Sequence, residues 1–506
     1  MAIIGIDLGT TNSLAAQLDA TGNIQVIHNA EGSNLTPSVV WFVSPSNIVV
    51  GEEAKKNLGI EPNVFKEFKR KLGSDTAFPV RGGTKISPTE LTAFVLKKII
   101  QDVRSAVGDP QTVIITVPAN FRNEAREATL KAASDAGISA DALLNEPTAA
   151  ALYYARHFGK QLNGLYAVYD LGGGTFDFSV IRANGDDIEV VASDGVQELG
   201  GKDFDQKIMG LVRRKFRSET GISLDLSMVQ FSDLDAEDVK KSLSIREERK
   251  IRIVGDSVPV TTITITRREF EAEISSLMAQ AEMLCEGVLM QANLKPTDLE
   301  DVFLAGGSSR MPIVRRSLQK LFGKEPVVTG NPDEAIALGA AIYAGYKAEK
   351  GLLNPLQARS VQAMTLQEIS PHFLGTICRD SAKASHGIDA DLNDILIRKN
   401  VPLPCSVTRS FYTISENQTS VTCVITQSPQ PESDPKFVRI LWRGVLELPP
   451  NRAEGQEIAV TFAYDESGVI RASFLDVATG RKTEIDVKSQ GAGSKSEVNI
   501  NDFVVE

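Results

Sequence analysis

The sequence predicts an α/β region over residues 1 to about 350, followed by a separate β-rich domain. Three observations carry this reading. Short, apolar, β-branched segments alternate with helix-length segments in the first part. After Lys350 the texture changes to short strand-like runs broken by turn residues. One strand-then-glycine motif occurs twice in the first part, which suggests two related halves facing one cleft.

Strands are expected at residues 3–6, 113–117, 167–169, 178–181 and 302–304, and helices at 88–107, 123–137 and 268–294. In the last helix Phe270, Ile274, Leu277, Met278, Ala281, Leu284, Cys285, Val288 and Leu289 recur every three or four residues, one apolar stripe. Further on, residues 461–464, 469–474 and 483–487 read as successive antiparallel strands. The signals at Glu416-Asn417, Glu466-Ser467-Gly468 and Thr479-Gly480 read as turns, and the Pro-rich stretch 428–435 as an exposed loop.

Composition narrows the function classes. The 506 residues carry a net charge of -11, which argues against a broad nucleic-acid-binding face. Cys285, Cys378, Cys405 and Cys423 form no Cys-x-x-Cys pair, and the four histidines are scattered, so neither a disulfide framework nor a zinc site is expected. No basic leader precedes the first strand and no run of 18 apolar residues exists. The expectation is a cytoplasmic protein without a membrane span.

The repeated motif carries the chemistry. IGIDLGTT at residues 4–11 and VYDLGGGT at 168–175 both read as a strand, Asp-Leu-Gly, then a hairpin. Glycines let backbone N–H groups approach phosphate oxygens, and Thr hydroxyls add donors. An Asp inside such a loop would repel phosphate unless a cation lay between them. Mg2+ is often held by one or two carboxylates and its own waters. Asp7 and Asp170 suit that role, and Asp177 would orient the second hairpin. A Walker loop is absent: LGGKD at 199–203 has no Gly five places before Gly201, and GGTK at 82–85 fails as well. A third glycine cluster, FLAGGSSRMP at 303–312, reads as a strand-to-helix turn. The reading is an ATP site with Mg2+.

These motifs resemble the heat-shock protein 70 chaperones. GIDLGTTNS at 5–13, NEPTAAA at 145–151, DLGGGTFD at 170–177, LGG at 199–201, AGGSSRMP at 305–312 and NPDEA at 331–335 run in that family's order. Phe411, ENQTSV at 416–421 and DESG at 465–468 are similar to its peptide-binding domain. The resemblance implies an α/β actin-like two-lobed ATPase domain at 1–355, an interdomain linker at 356–369, a β-sandwich substrate-binding domain at 370–490 and a flexible C-terminal tail at 491–506. It implies that Thr10, Thr11 and the loop glycines Gly172, Gly173, Gly174, Gly200 and Gly201 contact phosphates. Asp7, Glu146 and Asp170 would act around Mg2+, Thr175 would line the γ-phosphate, and Lys69 would position the attacking water. Glu237, Lys240, Lys241, Ser244, Gly306, Gly307, Ser308, Arg310 and Asp333 would hold the adenosine of ATP or ADP. Phe411, Ile414, Val421 and Val469 would line the peptide pocket. Partners implied are unfolded or extended polypeptide, a J-domain co-chaperone and a nucleotide-exchange factor, with no nucleic acid and no membrane.

The chain departs from the family pattern in places. Thr365 and Gln367 interrupt the apolar linker, which suggests altered coupling between domains. Ala142 stands where an Arg usually receives J-domain partners, which weakens that expectation. Lys202 replaces an acidic residue and Lys241 an Arg. A methionine that usually arches over the peptide is replaced near Arg379, beside an insertion around residues 384–392. No helical lid follows the last strand of this sequence. The leading reading is a slow ATPase chaperone with a lidless peptide site. The rivals are an ATP-binding regulatory or scaffold protein without a peptide cycle, and a small-molecule kinase, which the β-domain disfavours.

Overall fold

The computed structural model describes residues 2–44, 46–80, 83, 85–157, 161–185, 187–226, 229–255, 258–328, 330–349, 351–361, 364–380, 391–486 and 499–506. The first part is two α/β lobes. In the N-terminal lobe, strands run in the order Ala142–Asn145, Pro110–Val117, Ala2–Asp7, Asn12–Leu18 and Ile24–Ile27. Both faces of Ala2–Asp7 are buried, which its unbroken apolar run requires. Helices Pro88–Val107 and Asn123–Asp135 pack together and share one core with this sheet. The C-terminal lobe repeats the plan, with Asp301–Ala305, Asn163–Leu171, Phe176–Asn184 and Asp187–Val196 in one sheet.

The repeated motif forms two antiparallel hairpins. Asp7 pairs with Leu14 across the first, and Leu171 pairs with Phe176 across the second. Helix Ala335–Lys347 lies against the first lobe with almost no side-chain spacer. A Cβ on Gly5 would come within 2.2 Å of the Ala341 nitrogen, and one on Gly339 within 1.7 Å of the Ala149 oxygen. Only glycine permits that approach.

The expected helix over 268–294 is two helices, Arg267–Glu273 and Ser275–Gln291, broken at Ile274 (φ −93°, ψ 0°). Ile274 is nevertheless buried on the same side as Phe270 and Met278, so the stripe is continuous while the helix is not.

The β-rich part is a sandwich. One sheet orders Asp391–Ile397, Phe373–Arg379, Ser420–Ser428 and Arg439–Glu447; the other orders Cys405–Tyr412, Glu457–Tyr464, Ile470–Asp476 and Lys482–Asp486. Leu374, Ile425, Phe462 and Phe474 fill the space between them. The last three strands hold the antiparallel segments expected from the sequence, except that Val469 precedes its strand and residue 487 lies outside the described residues.

Two connecting segments differ from expectation. Part of the linker, Thr365–Gln367, is a strand that joins the C-terminal lobe's sheet parallel to Asp187–Val196. Its two polar residues are used: Thr365 Oγ1 donates to Asp187 Oδ1 (2.6 Å) and Gln367 Nε2 donates to the Leu403 oxygen (2.6 Å). Residues 362–363, the 384–390 part of the insertion and 487–498 lie outside the described residues. Residues 499–506 are no loose tail. They return to the N-terminal lobe, where Val504–Val505 pairs with Asn47–Val50, because Ile500 and Val505 find an apolar site there. Among the described residues, no helix is long and apolar enough to cross a membrane.

Candidate functional site

The two hairpins face each other across the cleft between the lobes. A cavity of about 650 Å3 lies between them, lined by Asp7, Thr10 and Thr11 from one hairpin and Asp170, Gly172, Gly173 and Thr175 from the other. The loops are pressed together: a Cβ on Gly173 would sit 1.8 Å from Thr11 Oγ1. Each is braced from behind. Ser38 Oγ donates to the Gly9 oxygen (2.8 Å), and Ser308 Oγ donates to the Gly172 oxygen (2.9 Å). The start of helix Gly201–Thr220 clamps the second loop, with Gly201 and Lys202 amides donating to the Gly172 and Gly173 oxygens.

At the floor, Lys69 Nζ donates to Glu146 Oε1 at 2.6 Å, and both residues are buried. Lys69 comes from a short 3-10 turn, Phe68–Lys71, and Glu146 from the strand-to-helix junction after Asn145. Three carboxylates, Asp7, Glu146 and Asp170, thus share one ammonium. Burial, then Glu146, pushes the Asp7 carboxyl up to about 7 despite Lys69. Burial, then Glu146, Asp177 and Asp7, raises Asp170 well above the carboxylate range. Asp177 reaches about 8 through burial and Glu146. It does not line the cavity: its Oδ1 accepts from the Ala119 amide at 3.1 Å, which holds the second hairpin to the neighbouring lobe.

The opposite wall is made by Gly201, Glu237, Lys240, Lys241, Ser244, Gly306, Gly307, Ser308, Arg310 and Asp333. Gly306 has φ 74°, and a Cβ there would meet the Leu171 oxygen at 2.5 Å. Arg310 is held by Asp333 (2.8 Å), and Lys240 by Asp205 (2.8 Å). Burial would raise Glu237, but Lys241 and Lys55 outweigh it and bring the carboxyl down to about 2. The expected residues Gly174 and Gly200 do not line the cavity. They sit behind it, where a Cβ on Gly200 would meet the Gly174 nitrogen at 2.7 Å. Asp205, Ile245 and Arg315 line the cavity and were not anticipated. Asp205 lies four residues after Gly201 on one helix, so helical spacing places both on one face; nothing in the sequence marks Ile245.

The cavity suits a polyphosphate with a divalent cation. Thr11 Oγ1 is buried without a partner, and the three crowded carboxylates have the Lys69 ammonium between them. No group of three or more His, Cys, Asp or Glu among the described residues is placed to hold a metal. Mg2+ would therefore rest on Asp7 and Asp170 largely through its own waters.

A second cavity, about 1490 Å3, opens in the β-sandwich. Phe411, Ile414 and Val421 line it with Val424, Ile440 and Phe474. Arg379 lines it too, where a methionine was expected. Val469 does not. It is 2% exposed just before strand Ile470–Asp476, beside the two α/β lobes, where the next residue's amide donates to Asn123 Oδ1.

That end of the sandwich is docked. Arg126 donates to the Ser467 oxygen (3.0 Å), Asn145 Oδ1 (2.8 Å) and the Ala119 oxygen (3.1 Å). Asn145 Nδ2 donates to Glu368 Oε2 of the linker (2.8 Å), so the residue before Glu146 touches the linker directly. The Glu466-Ser467-Gly468 turn expected from the sequence is also an interdomain contact. Lys399–Asp194 (2.6 Å) and Arg439–Glu124 (2.7 Å) flank it. Ala142 is buried, 5% exposed, in the N-terminal lobe's sheet.

The family model described as "Hsp70 protein" matches residues 3–80 and 75–504. The chain is 34% identical over 508 residues to "Chaperone protein DnaK" of Thermotoga neapolitana, covering 98% of this chain and 82% of the relative. The same-named protein of Thermosipho melanesiensis is 34% identical over 513 residues, with coverage of 98% and 82%. That of Thermosipho africanus is 34% identical over 514 residues, with coverage of 98% and 81%.

Proposed function

Because this chain belongs to the Hsp70 family of ATP-binding chaperones, we propose that it hydrolyses ATP slowly in the interlobe cavity and that nucleotide state gates a peptide in the β-sandwich. The observation that carries this reading is one continuous line of contacts. It runs from Lys69 and Glu146 to the adjacent Asn145, then to Glu368, Arg126 and Ser467.

In this reading Thr10, Thr11, Thr175, Gly172 and Gly173 hold the phosphates, with Gly174, Gly200 and Gly201 shaping the loop. Glu237, Lys240, Lys241, Ser244, Gly306, Gly307, Ser308, Arg310 and Asp333 receive the adenosine. Asp7 and Asp170 hold Mg2+, which when bound supplies positive charge to the phosphates. Water attacks the γ-phosphorus, the bond to the β–γ bridging oxygen breaks, and ADP leaves with that oxygen. Lys69 and Glu146 position the water. No histidine lines the cavity as a strong base, which suits slow turnover.

Phe411, Ile414 and Val421 would take an extended apolar segment. Arg379, Asp391, Arg443 and Glu454 at the same cavity favour segments with charged flanks. An unfolded polypeptide is the partner proposed, in a cytoplasmic setting that the four free cysteines fit. A nucleotide-exchange factor belongs to this reading, whereas buried Ala142 gives a J-domain protein no handle at that position.

Lys69→Ala tests the chemistry. ATP turnover should fall by about a hundredfold or more while nucleotide still binds, measured by phosphate release and by a binding titration. Turnover surviving in this variant would sink the proposed role. Release of a labelled apolar peptide on adding ATP tests the cycle; release that ignores ATP would favour the scaffold reading, for which the polar linker residues, Ala142 and the missing lid were the sequence arguments.

A further inference from the structure

The segment 499–506 comes after the sandwich in the chain but packs on the N-terminal lobe. Val504–Val505 forms a parallel strand outside Asn47–Val50, with Val504 opposite Asn47 and Val505 opposite Ile48. The Val504 amide donates to the Ser46 oxygen (3.0 Å), the Glu506 amide to the Ile48 oxygen (2.9 Å), and the Val50 amide to the Glu506 oxygen (2.9 Å). From helix Pro88–Val107, Lys97 Nζ donates to the Ile500 and Phe503 oxygens, each at 3.0 Å. Ile500 is 3% exposed and Val505 8% exposed. The Phe503 ring meets Phe94 edge-on with centroids 5.3 Å apart, and Phe42 at 6.2 Å. Val504, on the other face, is 62% exposed.

This is how a peptide is recognised by strand addition: main-chain bonds along an open sheet edge, and pockets for alternate side chains. The ligand pattern is apolar-x-x-apolar-x-apolar at 500, 503 and 505. The consequence lies in connectivity. The sandwich is tied to the C-terminal lobe through Thr365–Gln367 at its entry, and 499–506 ties the chain after it to the N-terminal lobe. Each lobe therefore holds one end of the same domain.

We propose that residues 499–506 are a strap: the chain's own peptide seated in a strand-addition groove of the N-terminal lobe, which keeps the sandwich near its docking surface by raising its effective concentration there. The proposal is independent of ATP hydrolysis.

Hydrogen exchange on the full chain tests it. In the unaltered protein the Val50, Val504 and Glu506 amides should be protected by about tenfold or more. Phe503→Asp should abolish that protection and also speed exchange severalfold at 465–470, where the sandwich docks. Val504→Asp, on the exposed face, should change neither. Adding a synthetic peptide of sequence 499–506 to the Phe503→Asp chain should restore protection at 39–50 but not at 465–470, because the peptide fills the groove without joining the domains. Lys97→Met, which removes only two hydrogen bonds, should give the same pattern at smaller size and serves if Phe503→Asp does not fold. Free exchange of Val504 and Glu506 in the unaltered protein would overturn the proposal. So would unchanged exchange at 465–470 on strap release, or a dimer by light scattering that Phe503→Asp dissolves, since the strand would then come from a second copy.

Discussion

His372 shows what one residue can do at the domain junction. It is 8% exposed, and its Nδ1 is buried without a hydrogen-bond partner. Burial, then Lys399, Arg126 and Arg122, brings its pKa down to about 3. An unfolded histidine titrates near 6.5, so it takes up its proton first as pH falls. The stability contributed by neutral His372 is therefore complete above about 6.5 and is lost as pH falls towards about 3, at roughly 1.4 kcal/mol per pH unit. Urea melts between pH 7 and 5 should lose stability more steeply in the unaltered chain than in His372→Leu; parallel losses would remove the argument. Nothing in the sequence marks this residue, because its burial, and the three cations that add to it, are supplied by other segments. Asp7 was legible from its strand-then-glycine motif, whereas Lys69 and Glu146 were expected only from the family resemblance. Val469 was misplaced for a simpler reason. Alternation along a strand tells which face a residue takes, but not which end of the sandwich it reaches.

The elements were read best where local periodicity and packing agree. Helix Pro88–Val107 opens on a Ser87 and Glu90 capping box and closes before Gly108, and its limits match those expected. The break at Ile274 was hidden because the apolar stripe continues through it, and periodicity reports a face rather than a continuous backbone. The linker strand was read as degraded because Thr365 and Gln367 are polar, yet their partners, Asp187 and Leu403, lie far off in sequence. Helix Ala335–Lys347 makes the sharpest prediction at this scale. Gly339→Ala places a methyl against the Ala149 carbonyl, where helix and helix cannot both stay. Unfolding by urea should show a loss of about 1–3 kcal/mol, the ordinary cost of overpacking. No loss would mean that the helices part easily.

For the whole molecule, the arrangement is a sandwich held against two lobes by buried hydrogen bonds around Arg126 and partly exposed ion pairs beside them. Arg126 is the centre of that interface, with partners in the loop before its own helix, in Asn145 and in Ser467. Arg126→Ala should release the sandwich and raise the radius of gyration in small-angle scattering, while the sandwich and lobes keep their secondary structure. An unchanged radius would place the holding energy elsewhere. The family plan was legible because its motifs lie in order along the chain. The route of residues 499–506 was not, since no local feature tells a strand which distant sheet it will join. That route also sets a timetable. Val505 follows its partner Ile48 by 457 residues (505 − 48 = 457). At the usual 5–20 residues per second of synthesis, the edge beside Ile48 waits roughly 20–90 s for its own strand. The N-terminal lobe leaves the ribosome before the sandwich does, yet receives this edge strand after it.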